Sequence, residues 1–196
     1  MLTLWDLIAR PGGGRKRKGP GGRAGPPRAK RPTTRTAGTT TRRPPAPGSA
    51  AERYERLTRD MLREHGVRVR KWRSSMSGVA WQVTYRDGSV ARLIEAPRPR
   101  GPMSAAVFLH EIGHHAIGFH VYRPRCLEEY HAWAWALRAM EARGIIVTDN
   151  VRRRMHESLA YAVAKAQRRG LKRLPTELEP FREFPERSPA RRRRAG

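Results

Sequence analysis

The stretch Phe108-Leu109-His110-Glu111-Ile112-Gly113-His114-His115-Ala116-Ile117-Gly118 decides how the rest of this chain is read. Residues four apart on a helix lie one above the other on the same face. Helical spacing therefore sets the imidazoles of His110 and His114 side by side, able to grip one divalent ion, with Glu111 next to its open side. Zinc suits this chemistry. Two histidines and a third protein ligand leave one coordination position for water, whose pKa falls to about 7. Glu111 is then the expected general base, taking the water's proton and passing it to the leaving group. Ala105, Leu109, Ile112 and Ala116 form the expected buried side of this helix, Ser104 its expected N-cap and Gly118 its stop. Gly113 leaves room for a close approach by a neighbouring element.

Upstream of the motif, Ser49 is the expected N-cap of an amphipathic helix over Ala51–His65, with Tyr54, Leu57, Met61 and Leu62 at helical spacing and Gly66 at its end. Val67–Trp72 reads as a short strand. Val79–Tyr85 and Val90–Ile94 flank Asp87-Gly88, a tight-turn signal, and read as a β-hairpin. Trp72 and Trp81 are expected in the core or on a sheet face. The run Pro97-Arg98-Pro99-Arg100-Gly101-Pro102 continues neither strand nor helix and is a loop into the motif.

Downstream, Tyr122-Arg123-Pro124-Arg125 is a turn, and a helix follows from Cys126 to about Arg143, stopped by Gly144. Glu128 and Glu129 lie near its start, where carboxylates complement the helix dipole. Either is also placed to be the third zinc ligand if this helix packs against the first. Thr148 or Asp149 caps a last helix, roughly Asn150–Arg168, whose apolar face holds Val151, Met155, Leu159, Ala162 and Val163. Leu171–Leu174 closes the core at Pro175. His156 and Tyr161 could polarise a carbonyl but read more simply as ordinary surface or core residues.

His110-Glu111-Ile112-Gly113-His114 followed by an acidic, alanine- and aromatic-rich helix resembles the gluzincin pattern, and more narrowly the ImmA/IrrE-type metallopeptidases of bacteria, phages and mobile elements. The resemblance covers about residues 50–175. It implies a compact α+β zincin-like domain, hydrolysis of a peptide bond in a protein or peptide substrate, zinc as cofactor, and Glu129 as third ligand beside His110 and His114. In that pattern the ligand commonly begins Glu-x-x-x-Asp; here position 133 is Trp133, so the acidic partner that usually orients a ligand histidine is missing there. For Glu128 the residue four on is Ala132. A rival third ligand is His120, ten residues after His110 as in metzincins. That pattern wants glycine at 117, where this chain has Ile117, with Gly118 one place late. His115 falls on the wrong side for the same metal and is expected to be partly exposed or hydrogen-bonded.

The 196 residues suggest one domain with tails, expected at 1–49 and 176–196 around a folded 50–175. The net charge of +25 is uneven: residues 1–50 hold 12 Lys/Arg against one acid, residues 165–196 hold 11 against 4, and the middle 19 against 12. Residues 10–50 have almost nothing to bury and are expected to be disordered. Such tails favour salt-sensitive, sequence-independent nucleic-acid binding, and the lack of aromatics from Pro11 to Ala51 argues against base stacking. Leu2–Ala9 reads as a frayed end or a short docking peptide. A single cysteine, Cys126, excludes an internal disulfide and fits a reducing compartment. No apolar run is long enough to span a membrane, and Met1–Ala9 lacks the basic start of a signal peptide, so a cytoplasmic protein is expected. A DNA-associated or regulatory protein with a structural or idle zinc site is the alternative to the enzyme.

Overall fold

A computed structural model describes residue 46 and residues 48–184. The expected tail at 1–49 and the reading of Leu2–Ala9 lie almost wholly outside the described residues, as does the end of the chain from 185. The fold is α+β. Its described elements are α1 (Ala50–Glu64), β1 (Val67–Arg73), β2 (Val79–Thr84), β3 (Val90–Pro97), α2 (Pro102–Ile117), α3 (Arg125–Ala142), α4 (Asp149–Arg168) and a 3-10 turn over Thr176–Phe181.

The local signals in the sequence act as expected at most boundaries. Ser49 Oγ accepts from the Glu52 amide at 3.2 Å and opens α1. Thr148 does the same for α4 through Val151. Asp87 takes the amide and hydroxyl of Ser89 to close the β2–β3 hairpin. β1 joins this hairpin in parallel to β3, giving the order β1-β3-β2 with β3 in the centre. The parallel pairing needs a crossover, and the hairpin itself supplies it.

Three expectations are corrected. Ser104 is not the N-cap of α2. The helix starts two residues earlier, at Pro102, whose missing N–H costs nothing at the first position. Ser104 is the third helical residue, and its Oγ reaches back to the amides of Arg100 and Gly101 at 2.9 and 3.2 Å. β3 runs on to Pro97, because Pro97 stands at the end of the strand where its missing N–H is tolerated. The folded part does not end at 175. Leu178 is fully buried and Phe181 nearly so, Phe181 lying 6.1 Å from the Tyr130 ring and 5.1 Å from the His156 ring. Three residues apart on a 3-10 turn share a face, so Leu178 and Phe181 dock together.

The central element is α2. Every residue from Ser104 to His115 is buried, so the helix is walled in by β3 on one side and α3 on the other. That is more than the expected stripe: Val107 and Phe108 are buried with Leu109 and Ile112, while Ala116 is only half-buried. Gly113 permits the contact with α3. A Cβ there would meet the Ala132 carbonyl oxygen at 2.7 Å. Trp72 is partly exposed on the sheet, 6.1 Å from Phe108, and Trp81 carries the Arg70 guanidinium on its face. Cys126 is buried as a free thiol. Among the described residues no helix is long and apolar enough to cross a membrane.

Candidate metal centre

The histidines of α2 and a carboxylate of α3 converge. His110 Nε2 lies 3.3 Å and His114 Nε2 3.5 Å from the same oxygen, Glu129 Oε2. All three donor atoms lie within 4.8 Å of one another, and His110, His114 and Glu129 can hold a metal ion. The fit to zinc can be tested on these spacings. Four tetrahedral ligand atoms at about 2.0–2.1 Å from zinc stand about 3.3 Å apart. The two histidine–carboxylate separations match that value, and the donor set of two imidazoles and one carboxylate is a zinc set.

Burial and charge shape the ionisation of the site. Burial pushes His110 down to about 4, outweighing its contact with Glu129. Burial also opposes charge on His114, but Glu129 and Glu128 overcome it and lift His114 to about 10. Burial works against charge on Glu129 as well, yet His114 and His110 hold its carboxyl well below the usual range. The metal-free cluster is therefore an imidazolium–carboxylate pair with one neutral imidazole, and a metal ion must displace the His114 proton.

Glu111 sits beside this cluster, 2% exposed, and burial pushes its pKa up to about 8. Its carboxyl rests against Gly78, just before β2. A Cβ at Gly78 would come within 2.4 Å of Glu111 Oε1. Sequence reading missed Gly78, because a lone glycine before a strand carries no signal of what crosses it. The same loop is pinned from behind. Arg73 binds Glu95 at 3.0 Å and donates to Ser77 Oγ at 3.2 Å, while Arg70 binds the other Glu95 oxygen at 2.7 Å. Arg154 donates to the Met76 carbonyl at 2.8 Å.

Four further residues take the places their chemistry allows. His120 is exposed, with φ +64, and lies outside the metal cluster; its backbone amide donates to Glu128 Oε2 at 2.8 Å. His115 faces the sheet and its Nε2 meets the Leu93 carbonyl at 3.1 Å, the hydrogen-bonded role expected. Trp133, at the position where an acidic partner was expected, stacks on His110 with ring centroids 4.5 Å apart and gives its own N–H to Ser158 Oγ at 3.2 Å. His156 contacts the Glu183 carbonyl at 2.9 Å and ties the segment after the 3-10 turn to α4.

Comparisons with protein-family models, curated proteins and solved structures find no match.

Proposed function

We propose that this protein is a zinc-dependent metallopeptidase, similar in plan to the gluzincins and the ImmA/IrrE-type enzymes. The observation that carries the reading is the convergence of His110 Nε2, His114 Nε2 and Glu129 Oε2 with the buried carboxyl of Glu111 on the same helix. His110, His114 and Glu129 hold the ion, which when bound supplies a Lewis acid that acidifies water and polarises a carbonyl. Glu111 takes a proton from the attacking water and delivers it to the leaving nitrogen. Burial raises the Glu111 carboxyl above its usual range, which strengthens it as a proton acceptor. Gly78 and the Arg73-braced loop hold Glu111 in place and keep bulk water from its carboxyl.

The substrate is an extended segment of protein. Among the described residues β2 pairs only with β3, and its first residue follows Gly78, so its outer edge starts beside Glu111. An added strand there would be held by backbone hydrogen bonds. Proline placed along Val79–Thr84 should weaken binding of such a peptide, and unchanged binding would remove support for that docking mode.

The test of the activity uses the zinc-loaded full chain and a pool of unfolded protein fragments, with products read by mass spectrometry. Wild type should generate new termini, and Glu111→Gln should lose about 10²–10⁴-fold in rate with zinc retained. Equal cleavage by both proteins would contradict the assignment. Nucleic-acid binding that persists in Glu111→Gln is separable from hydrolysis and leaves the hydrolase reading untouched.

A further inference from the structure

We propose that Glu128 is the positioning residue for the metal ligand His114, acting from a different place on α3 than position 133, whose side chain lies against His110. The inference rests on the metal-site reading above. Glu128 is 1% exposed, a depth at which a carboxylate needs partners. Its Oε2 accepts the His120 amide at 2.8 Å. Its Oε1 faces His114 Nδ1 at 3.5 Å, on the opposite side of the ring from the Nε2 that faces Glu129. Both Glu128 Oε1 and His114 Nδ1 are shut off from solvent and, among the described residues, neither has a hydrogen-bond partner at ordinary distance, so each is the group that can satisfy the other. A movement of a few tenths of an ångström closes the bond.

The arrangement fixes the tautomer. A carboxylate at Nδ1 keeps the proton there and leaves the Nε2 lone pair for a metal. Arg125, 3.7 Å from Glu128 Oε1 and 3.3 Å from Glu129 Oε1, braces both carboxylates from the solvent side. His110 is held by a different device. Its Nδ1 has no hydrogen-bond partner among the described residues, and its ring is fixed by the face of Trp133. One ligand is thus set by a charge and the other by a stack. Glu128 also ties the turn after α2 to the start of α3 through His120, whose contribution is its backbone amide and not its ring.

The test measures zinc affinity by chelator competition on the full chain, for wild type, Glu128→Gln and Glu129→Gln, with the melting temperature of each metal-free protein. A glutamine keeps the size of the side chain but leaves one oxygen for two donors. The inference predicts one tight zinc in wild type, none in Glu129→Gln, and binding weakened about 10–100-fold in Glu128→Gln at a metal-free melting temperature close to wild type. In zinc-loaded wild type, the ¹⁵N-labelled imidazole of His114 should show a protected, downfield Nδ1 proton that is lost in Glu128→Gln. That spectrum decides the matter if the variant folds poorly, since its absence in wild type overturns the inference. Unchanged zinc affinity in Glu128→Gln, with Glu129→Gln empty, overturns the inference alone. Absence of zinc from folded wild type overturns the metal-site reading and this inference with it.

Discussion

Helices α2 and α3 meet at the site and contribute to it in opposite ways. α2 supplies His110, Glu111 and His114 from one backbone segment, and their relative placement follows from helical spacing alone. α3 supplies Glu129, Glu128 and Trp133, and these reach the site only because the two helices pack closely at Gly113 and Ala132. The difference teaches where a metal centre of this kind is fragile. Geometry within α2 survives as long as the helix does. Geometry across the pair depends on a contact that one methyl group would disturb.

The sharpest way to break the comparison is Trp133→Ala. Trp133 is fully buried and spans from His110 to Ser158. Its loss should cost about 3–5 kcal/mol in denaturant unfolding. Trp133→Phe, which keeps a ring over His110, should cost distinctly less. Equal costs would show that the stack has no role.

Acid acts on the α2 side. Burial pushes His115 down to about 4, against the pull of its Leu93 hydrogen bond and with help from the charges of His114, Arg92 and His65. The folded form holds His115 neutral, while the unfolded chain takes up its proton below about 6.5. The folded pKa is depressed, so this stabilisation is complete above pH 6.5 and is lost as pH falls toward 4, by up to about 3 kcal/mol. Unfolding of the metal-free protein across that window should be shallower in pH for His115→Gln than for wild type. Parallel curves would refute the assignment.

Gly113→Ala probes the contact itself. The added Cβ meets backbone, the Ala132 carbonyl oxygen, which cannot rotate away. The helices must separate, at about 1–3 kcal/mol, and zinc affinity should fall with stability because Glu129 rides on α3. Stability lost with affinity intact would mean that the site tolerates the shift. The smallest effect on the metal site is expected of Ser158→Ala, which leaves the Trp133 N–H without its partner for about 1–3 kcal/mol while the ring stays over His110. Its zinc affinity should match wild type.

The same contrast explains what could be read from the sequence. The paired histidines and Glu111 of α2, the hairpin and the main helices were legible because each is a local signal: a four-residue spacing, an Asp-Gly turn, a serine or threonine cap. Glu129 was named as a ligand only through a resemblance, because no local pattern distinguishes it from Glu128 one residue away. The closure of Gly78 on Glu111 and the turn of Glu128 toward His114 are contacts between distant segments, which no spacing records. Leu178 and Phe181 were hidden by composition, two apolar residues averaged into a basic end.

The central claim is that α3 completes a metal site begun on α2, and metal analysis tests it most directly. Full-length wild type, Glu129→Gln and His120→Ala are purified, supplied with zinc, freed of excess and assayed for zinc per folded chain. The account predicts one zinc in wild type and in His120→Ala and little or none in Glu129→Gln. Zinc retained in Glu129→Gln and lost in His120→Ala, or no zinc in folded wild type, would contradict it.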